Sequence, residues 1–213
     1  MAVDDALASG PVPPPALPTA GVLAEALGTV LAGRTPRTLD DPIPRAGVLV
    51  LLYDVAGRPH LVLTRRTDSL PHHPGQVSLP GGRFEPEDGD LMVTALRETE
   101  EELGVAGSAL TVVGRLDDVP TVASGFIITP FVAHLASELV PTPSADEIAR
   151  VLEVPLADLL AADDGLPVDA DVITLRYPML GEDVWGATAR ILRIFLRRCR
   201  EALGAAAPGA QRA

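Results

Sequence analysis

The chain predicts an α/β fold in which a mixed β-sheet is covered by helices on both faces. Three observations carry that reading. A continuous apolar run from Ala46 to Tyr53 has the length and composition of a buried strand. A helical pattern begins near Asp90 and stops at Gly104, where a left-handed helix stop is expected. Strand-like stretches interleave with only a few helical ones, the arrangement of an α/β sandwich.

Taken in order, residues 1–20 are rich in Ala and Pro, with five prolines between Pro11 and Pro18, and read as a flexible or extended arm. A short amphipathic helix follows, with Val22, Leu23, Leu27, Val30 and Leu31 on one face before Gly33. Arg34 to Arg45 is a loop. Ala56-Gly57-Arg58-Pro59 turns the Ala46–Tyr53 strand into a partner at His60–Arg65, and a shorter strand at Gly75–Leu79 leads into Pro80. Beyond the central helix, Leu110–Leu116 and Phe126–His134 read as strands, with shorter ones at Ile148–Leu152 and Val172–Tyr177. Leu156–Ala162 is a short helix and Thr188–Leu203 a longer one. The organisation expected is one domain over residues 21–203 with a flexible tail at 204–213.

Composition narrows the class. Hydrophobic residues make up 47% of the 213 and aromatics only 3%, so Ala, Val and Leu must build the core. A net charge of −12 argues against a general binder of nucleic acid or anionic membrane, which needs a basic footprint. A polyanionic small substrate remains compatible if local arginines and a bound cation draw it in. Cys199 is the only cysteine, which excludes an intrachain disulfide and suits a reducing cytoplasm. Asp4 and Asp5 stand where a secretory signal would be basic, and the uncharged stretch Val119–Ser137 is broken by Pro120, Gly125 and Pro130, so no membrane span is expected. A homodimer is left open.

The chemistry concentrates between Gly81 and Val105. On a helix, Glu98, Glu101 and Glu102 project to one side within a few ångströms, while Leu96, Thr99 and Leu103 turn toward a core. Like charges at this spacing destabilise a helix, so something positive should offset them. Hard divalent cations bind through carboxylates together with substrate phosphates. The alternative is a solvated acidic face.

The spacing favours the metal reading. Arg97-Glu98-Thr99-Glu100-Glu101-Glu102-Leu103-Gly104-Val105 resembles the second half of the Nudix box, Arg-Glu-U-x-Glu-Glu-x-Gly-U with U apolar, and all five fixed letters match. One extra residue in the acidic loop aligns Gly82 with the box glycine and lets Asp88 or Glu87 stand in for the first glutamate. A second block, Leu63 to Gly82, is similar to the signature that precedes the box in coenzyme A pyrophosphatases: Leu63, Thr64, Arg66, Leu70, His73, Gly75, Val77 and Pro80 match. Pro71 replaces an arginine of that signature, Thr67 a Ser or Ala, and Leu79 a Phe. Leu116–Thr121 and the run from Tyr177-Pro178 to Val184–Ala189 also look like this branch.

The resemblance implies a Nudix-type α/β/α sandwich and hydrolysis of a nucleoside diphosphate-linked substrate. For the coenzyme A branch, the products would be adenosine 3′,5′-bisphosphate and 4′-phosphopantetheine. It implies Mg²⁺ or Mn²⁺ held by Glu98, Glu101 and Glu102 with the Gly81 carbonyl, and Arg97 holding the carboxylates in place. Glu101 or Glu147 would take the proton, while Arg66, Gly81 and Gly82 would meet the substrate. Arg65, His72 and His73 precede the site and read as surface, and Trp185 as a packing residue. Two alternatives stay open: a pyrophosphatase for ADP-ribose, nucleotide sugars or other nucleoside diphosphates, and a ligand sensor of the same fold without turnover.

Overall fold

A computed structural model describes residues 16–70, 73–121, 125–167 and 174–206. The chain runs through α1 (Ala20–Ala32), β1 (Arg45–Val55), β2 (Arg58–Arg66), β3 (Val77–Ser78), β4 (Gly81–Arg83) and a 3₁₀ turn (Pro86–Asp88) to α2 (Leu91–Leu103). It continues through β5 (Leu110–Arg115), β6 (Val119–Pro120), β7 (Ile127–Leu135), β8 (Ile148–Pro155), α3 (Leu156–Asp164), β9 (Arg176–Met179), β10 (Glu182–Trp185) and α4 (Gly186–Ala206).

The first eight strands form one mixed sheet in the order β3-β2-β1-β7-β5, with β4 also on β1, β6 on β7 and β8 on β2. The β1–β7 pair is parallel and the others are antiparallel. Side chains alternate across a strand, and the central run of β1 from Gly47 to Tyr53 is buried on both faces, which explains why it is apolar throughout. Val48, Val50 and Leu52 join the core under α1, α3 and α4, while Leu49, Leu51 and Tyr53 join a second core under α2. The result is the expected α/β/α sandwich. Cys199 is buried in the larger core with its thiol free.

Several details differ from the sequence reading. Val22 is 53% exposed, and Ala20 and Ala24 take its place on the buried face of α1, where small side chains let the helix sit close to the sheet. The strand expected at Val172–Tyr177 falls partly outside the described residues, and β9 begins at Arg176. β4, β6 and β10 are too short to leave a periodic signal. Helix α4 continues past Leu203 to Ala206. Among the described residues, no helix is long and apolar enough to cross a membrane.

The loop after α1 is fastened by two adjacent carboxylates. Asp117 accepts from the Arg37 backbone N–H at 2.6 Å and pairs with the Arg34 guanidinium. Asp118, whose side chain is fully buried, accepts from the Leu39 N–H at 3.0 Å, Arg115 at 2.7 Å and the Thr129 hydroxyl at 2.8 Å. Burial opposes charge on Asp118, but these donors outweigh it and hold the carboxyl below its ordinary 3.8. A depressed folded-state value contributes stability above the ordinary pKa that is lost as the pH falls through the folded one. Asp118→Asn should therefore be less stable than the parent at neutral pH, and the gap should close below about pH 4 in denaturant titrations. A gap that stays constant across that range would contradict the assignment.

A second constraint is steric. A Cβ on Gly47 would lie 2.2 Å from the Leu91 carbonyl oxygen and 3.1 Å from the Ala95 nitrogen, so α2 packs directly on bare backbone. Gly47→Ala should push α2 outward and cost about 1–3 kcal/mol of stability, read from chemical denaturation.

Candidate active site

Helix α2 is delimited by short-range chemistry. The Asp90 carboxylate caps its start, accepting from the Met92 and Val93 N–H groups at 2.8 and 2.9 Å. Gly104 ends it in the left-handed conformation at φ 70°. Glu98 and Glu102 lie one turn apart on the side that faces β4. Their depth depends on the glycines there: a Cβ on Gly82 would lie 2.3 Å from the carboxyl carbon of Glu98. One on Gly81, whose φ is 146°, would meet the Gly47 carbonyl oxygen at 2.4 Å.

The two carboxylates are poorly compensated. Glu102 is 2% exposed, and its nearest partners are the Gly81 N–H at 3.4 Å and the Arg66 guanidinium at 3.9 Å. Burial pushes its pKa up from 4.5 to about 8; Gly81 and Arg66 oppose the rise, and the charges of Glu98 and Glu147 add to it. Glu98 is raised as well, chiefly by burial, even though Arg97 stands 3.0 Å away. Glu101 is different: its side chain is 59% exposed and turns along the helix to Arg97 at 3.0 Å. Glu98 and Glu102 are thus brought together, while Glu101 stays on the rim.

Arg97 organises this edge. Its Nε–H donates to Asp88 at 2.8 Å, and its terminal nitrogens reach Asp88 again, the Arg83 carbonyl, Glu98 and Glu101. Asp88 also accepts from the Thr94 hydroxyl at 2.8 Å and the Glu85 N–H at 3.1 Å. The hydrogen bond from Arg97 holds its carboxyl well below the usual range. Of the two acids offered by the loop, Asp88 is the one that meets Arg97.

Two further residues converge from distant strands. Arg66 ends β2, with its N–H on the Gln76 carbonyl at 2.9 Å and its guanidinium toward Glu102. Glu147 comes from the loop before β8: the Thr67 N–H donates to its carbonyl at 2.8 Å, and the Ser144 N–H donates to the Glu102 carbonyl at 3.2 Å. The loop is thereby tied both to β2 and to the end of α2. Arg65 turns elsewhere, to Asp68 and Glu182. His73 occupies a turn at φ 56°; His72 and Pro71 lie outside the described residues.

Trp185, read as a packing residue, packs on the surface of the β9–β10 hairpin: it is 44% exposed, with the Arg176 guanidinium 5.8 Å from its ring centroid. The sequence reading also missed the Thr94 support of Asp88 and the contact of Gly82 with Glu98. Each depends on how a loop folds back on the helix, which side-chain periodicity does not encode.

Among the described residues, no three acidic, His or Cys side chains are gathered tightly enough to hold a metal ion as they stand. The donor chemistry nevertheless fits a hard divalent cation. A buried and a partly buried carboxylate one turn apart, with too little positive charge to ionise freely, become stable when such an ion supplies it.

The family model described as the NUDIX domain matches residues 43–175. The protein described as "Uncharacterized Nudix hydrolase NudL" of Yersinia enterocolitica is 36% identical over 140 residues, spanning 63% of this chain and 71% of that one. Its counterpart in Yersinia pestis strain Pestoides F is 35% identical over 154 residues, 70% of this chain and 76% of its own. Among solved structures, a C. elegans Ap4A hydrolase binary complex aligns with a TM-score of 0.52 at 20% identity, over 76% of this chain and 98% of its own. The NUDIX domain of Shewanella oneidensis NrtR, complexed with ADP ribose, aligns at 0.50 and 19% identity, over 82% and 97%. At these identities the solved structures speak for the fold.

The raised value at Glu102 has a sign that can be checked. In the metal-free protein the folded state keeps a proton that the unfolded chain releases above about pH 4.5, so stability declines as the pH rises toward 8. Glu102→Gln should remove that slope, and the difference in Tm between variant and parent should move in the variant's favour from pH 5 to pH 8. A divalent ion should raise the parent's Tm far more than the variant's. Parallel curves with and without the ion would contradict this account.

Proposed function

Because the chain belongs to the Nudix hydrolases, we propose that it cleaves the diphosphate linkage of coenzyme A or a derivative, releasing adenosine 3′,5′-bisphosphate and 4′-phosphopantetheine. Family membership makes it a diphosphatase acting on nucleoside diphosphate derivatives, and such hydrolases generally need divalent metal ions. The narrower substrate is supported by one observation. The block from Leu63 to Gly82, similar to the coenzyme A pyrophosphatase signature, is the segment that carries Arg66 to Glu102 and seats Gly81 and Gly82 under the carboxylates.

In this reading Glu98 and Glu102, with the Gly81 carbonyl and Glu101 at the rim, hold Mg²⁺ or Mn²⁺. The ion, when bound, neutralises diphosphate charge and lowers the pKa of the attacking water. Arg97, pinned by Asp88, orients the carboxylates. Arg66 presents its guanidinium to a diphosphate oxygen, a match in shape and charge. Glu147, whose charge already bears on Glu98 and Glu102, accepts the water proton.

The experiment is product analysis on coenzyme A, acyl-coenzyme A, ADP-ribose and dinucleoside polyphosphates, with and without Mg²⁺. Adenosine 3′,5′-bisphosphate should appear from the first two, and only with the ion. A preference for ADP-ribose or dinucleotides would overturn the substrate; metal-dependent binding without product would favour a sensor. Glu102→Gln should lower kcat by at least about 100-fold and Glu147→Gln by about 10²-fold or more, both remaining folded by circular dichroism. Full activity in Glu102→Gln would end the model.

A further inference from the structure

The wall that β2 and β3 raise beside the acidic cluster carries a residue to which the catalytic account gives no task. Thr64 pairs with Ser78 and Arg65 with Val77, so the register continues to Arg66 opposite Gln76, where the Arg66 N–H donates to the Gln76 carbonyl at 2.9 Å. Residues opposite each other in an antiparallel pair share a face, with Cβ atoms about 5 Å apart. Val77 and Leu79 turn into the larger core, whereas the Ser78 hydroxyl lies 3.4 Å from that of Thr64 on the other face. Gln76 therefore projects on the face from which Arg66 reaches toward Glu102 at 3.9 Å. On the far side of Arg66, the Thr67 N–H is bonded to the Glu147 carbonyl. Gln76, Arg66 and Glu147 thus form a row across the ends of β3, β2 and β8, beside the carboxylates.

Two properties of Gln76 point to a ligand. It is half-buried, yet its side-chain amide has no hydrogen-bond partner among the described residues. The sequence has no asparagine and only two glutamines, Gln76 and Gln211, so Gln76 is the only side-chain amide among the described residues. An amide donates without carrying charge. A lysine or arginine in its place would add a second cation near Glu102 and remove the shortage of positive charge that suits the cluster to a metal ion. A glutamate would deepen that shortage and repel a phosphate. Arg66 is itself loosely held, with its Nε–H unpartnered, so the wall has donors to spare.

We propose that Gln76 contacts the substrate: its amide N–H donates to a non-bridging oxygen of the diphosphate, beside the oxygen that Arg66 takes. The inference rests on the reading of the acidic cluster as a diphosphate-cleaving site, and not on coenzyme A as the substrate. The diphosphate then lies between the metal-binding carboxylates and a wall with one charged and one neutral donor. Arg66 supplies attraction, and Gln76 fixes which way the diphosphate turns.

The test uses Gln76→Ala, Gln76→Glu and Gln76→Lys in the full chain. Without turnover, methylenediphosphonate is titrated calorimetrically in the presence of Mg²⁺. Gln76→Ala should weaken its binding about tenfold and Gln76→Glu about 100-fold or more, whereas Gln76→Lys should bind it more tightly than Gln76→Ala does. Equal affinities in the parent, Gln76→Ala and Gln76→Glu would overturn the proposal. A general disturbance of the β2–β3 turn would weaken binding in Gln76→Lys and Gln76→Glu alike, and that result would overturn it too. In turnover, Gln76→Ala should raise KM about tenfold for whichever diphosphate substrate the parent cleaves, with kcat changed little; an unchanged KM would refute the contact. If the parent binds the diphosphonate through Gln76 but hydrolyses neither coenzyme A nor ADP-ribose, the proposed activity fails and this contact stands.

Discussion

Glu98 and Glu102 stand one helical turn apart against backbone that carries no side chain, and the rest of the site follows from that placement. Gly82 makes room for the carboxyl of Glu98, and Gly47 lets α2 approach β1 closely enough for Glu102 to be buried. Two acids at this depth repel each other and are poorly solvated. The protein supplies one distant guanidinium and one long N–H contact for Glu102, far less than a buried carboxylate needs to ionise at neutral pH. Helix α2 therefore carries an electrostatic deficit that a divalent cation, with a diphosphate behind it, removes.

Arg97 keeps that deficit local. It could in principle neutralise the whole cluster, but Asp88 holds its Nε and one terminal nitrogen, and Asp88 is itself fixed by Thr94 and the Glu85 N–H. The guanidinium is thus turned to the rim, where it meets Glu98 and Glu101 and leaves Glu102 to the interior. The 3₁₀ turn at Pro86–Asp88 delivers Asp88 to Arg97.

How much of this was legible in the sequence depends on the range of the forces involved. The central strand declared itself because both its faces are buried, and α2 because its cap, its periodicity and its glycine stop are all local. The order and spacing of the three glutamates placed the acidic cluster correctly on one helix. Their unequal depth was not legible, since it is decided by Gly47 and Gly82 on other strands. Nor was the exposure of Trp185, because a four-residue hairpin strand is positioned by its ion pairs with Arg65 and Arg150 and not by its own pattern. Glu147 was nominated only by resemblance. Its approach to the cluster depends on backbone hydrogen bonds that join Thr67 and Ser144 to it and to α2.

On the α2 face, negative charge is concentrated beyond what local cations balance, which suits a metal ion and the atoms being cleaved. By contrast, the Asp117–Asp118 segment engages Arg34, Arg45 and Arg115 in holding the loop after α1, so its charges close locally. Removing a carboxylate therefore has opposite consequences in the two places: at Asp118 it strands donors that hold the loop, whereas at Glu102 it relieves a buried charge that only an added cation would balance.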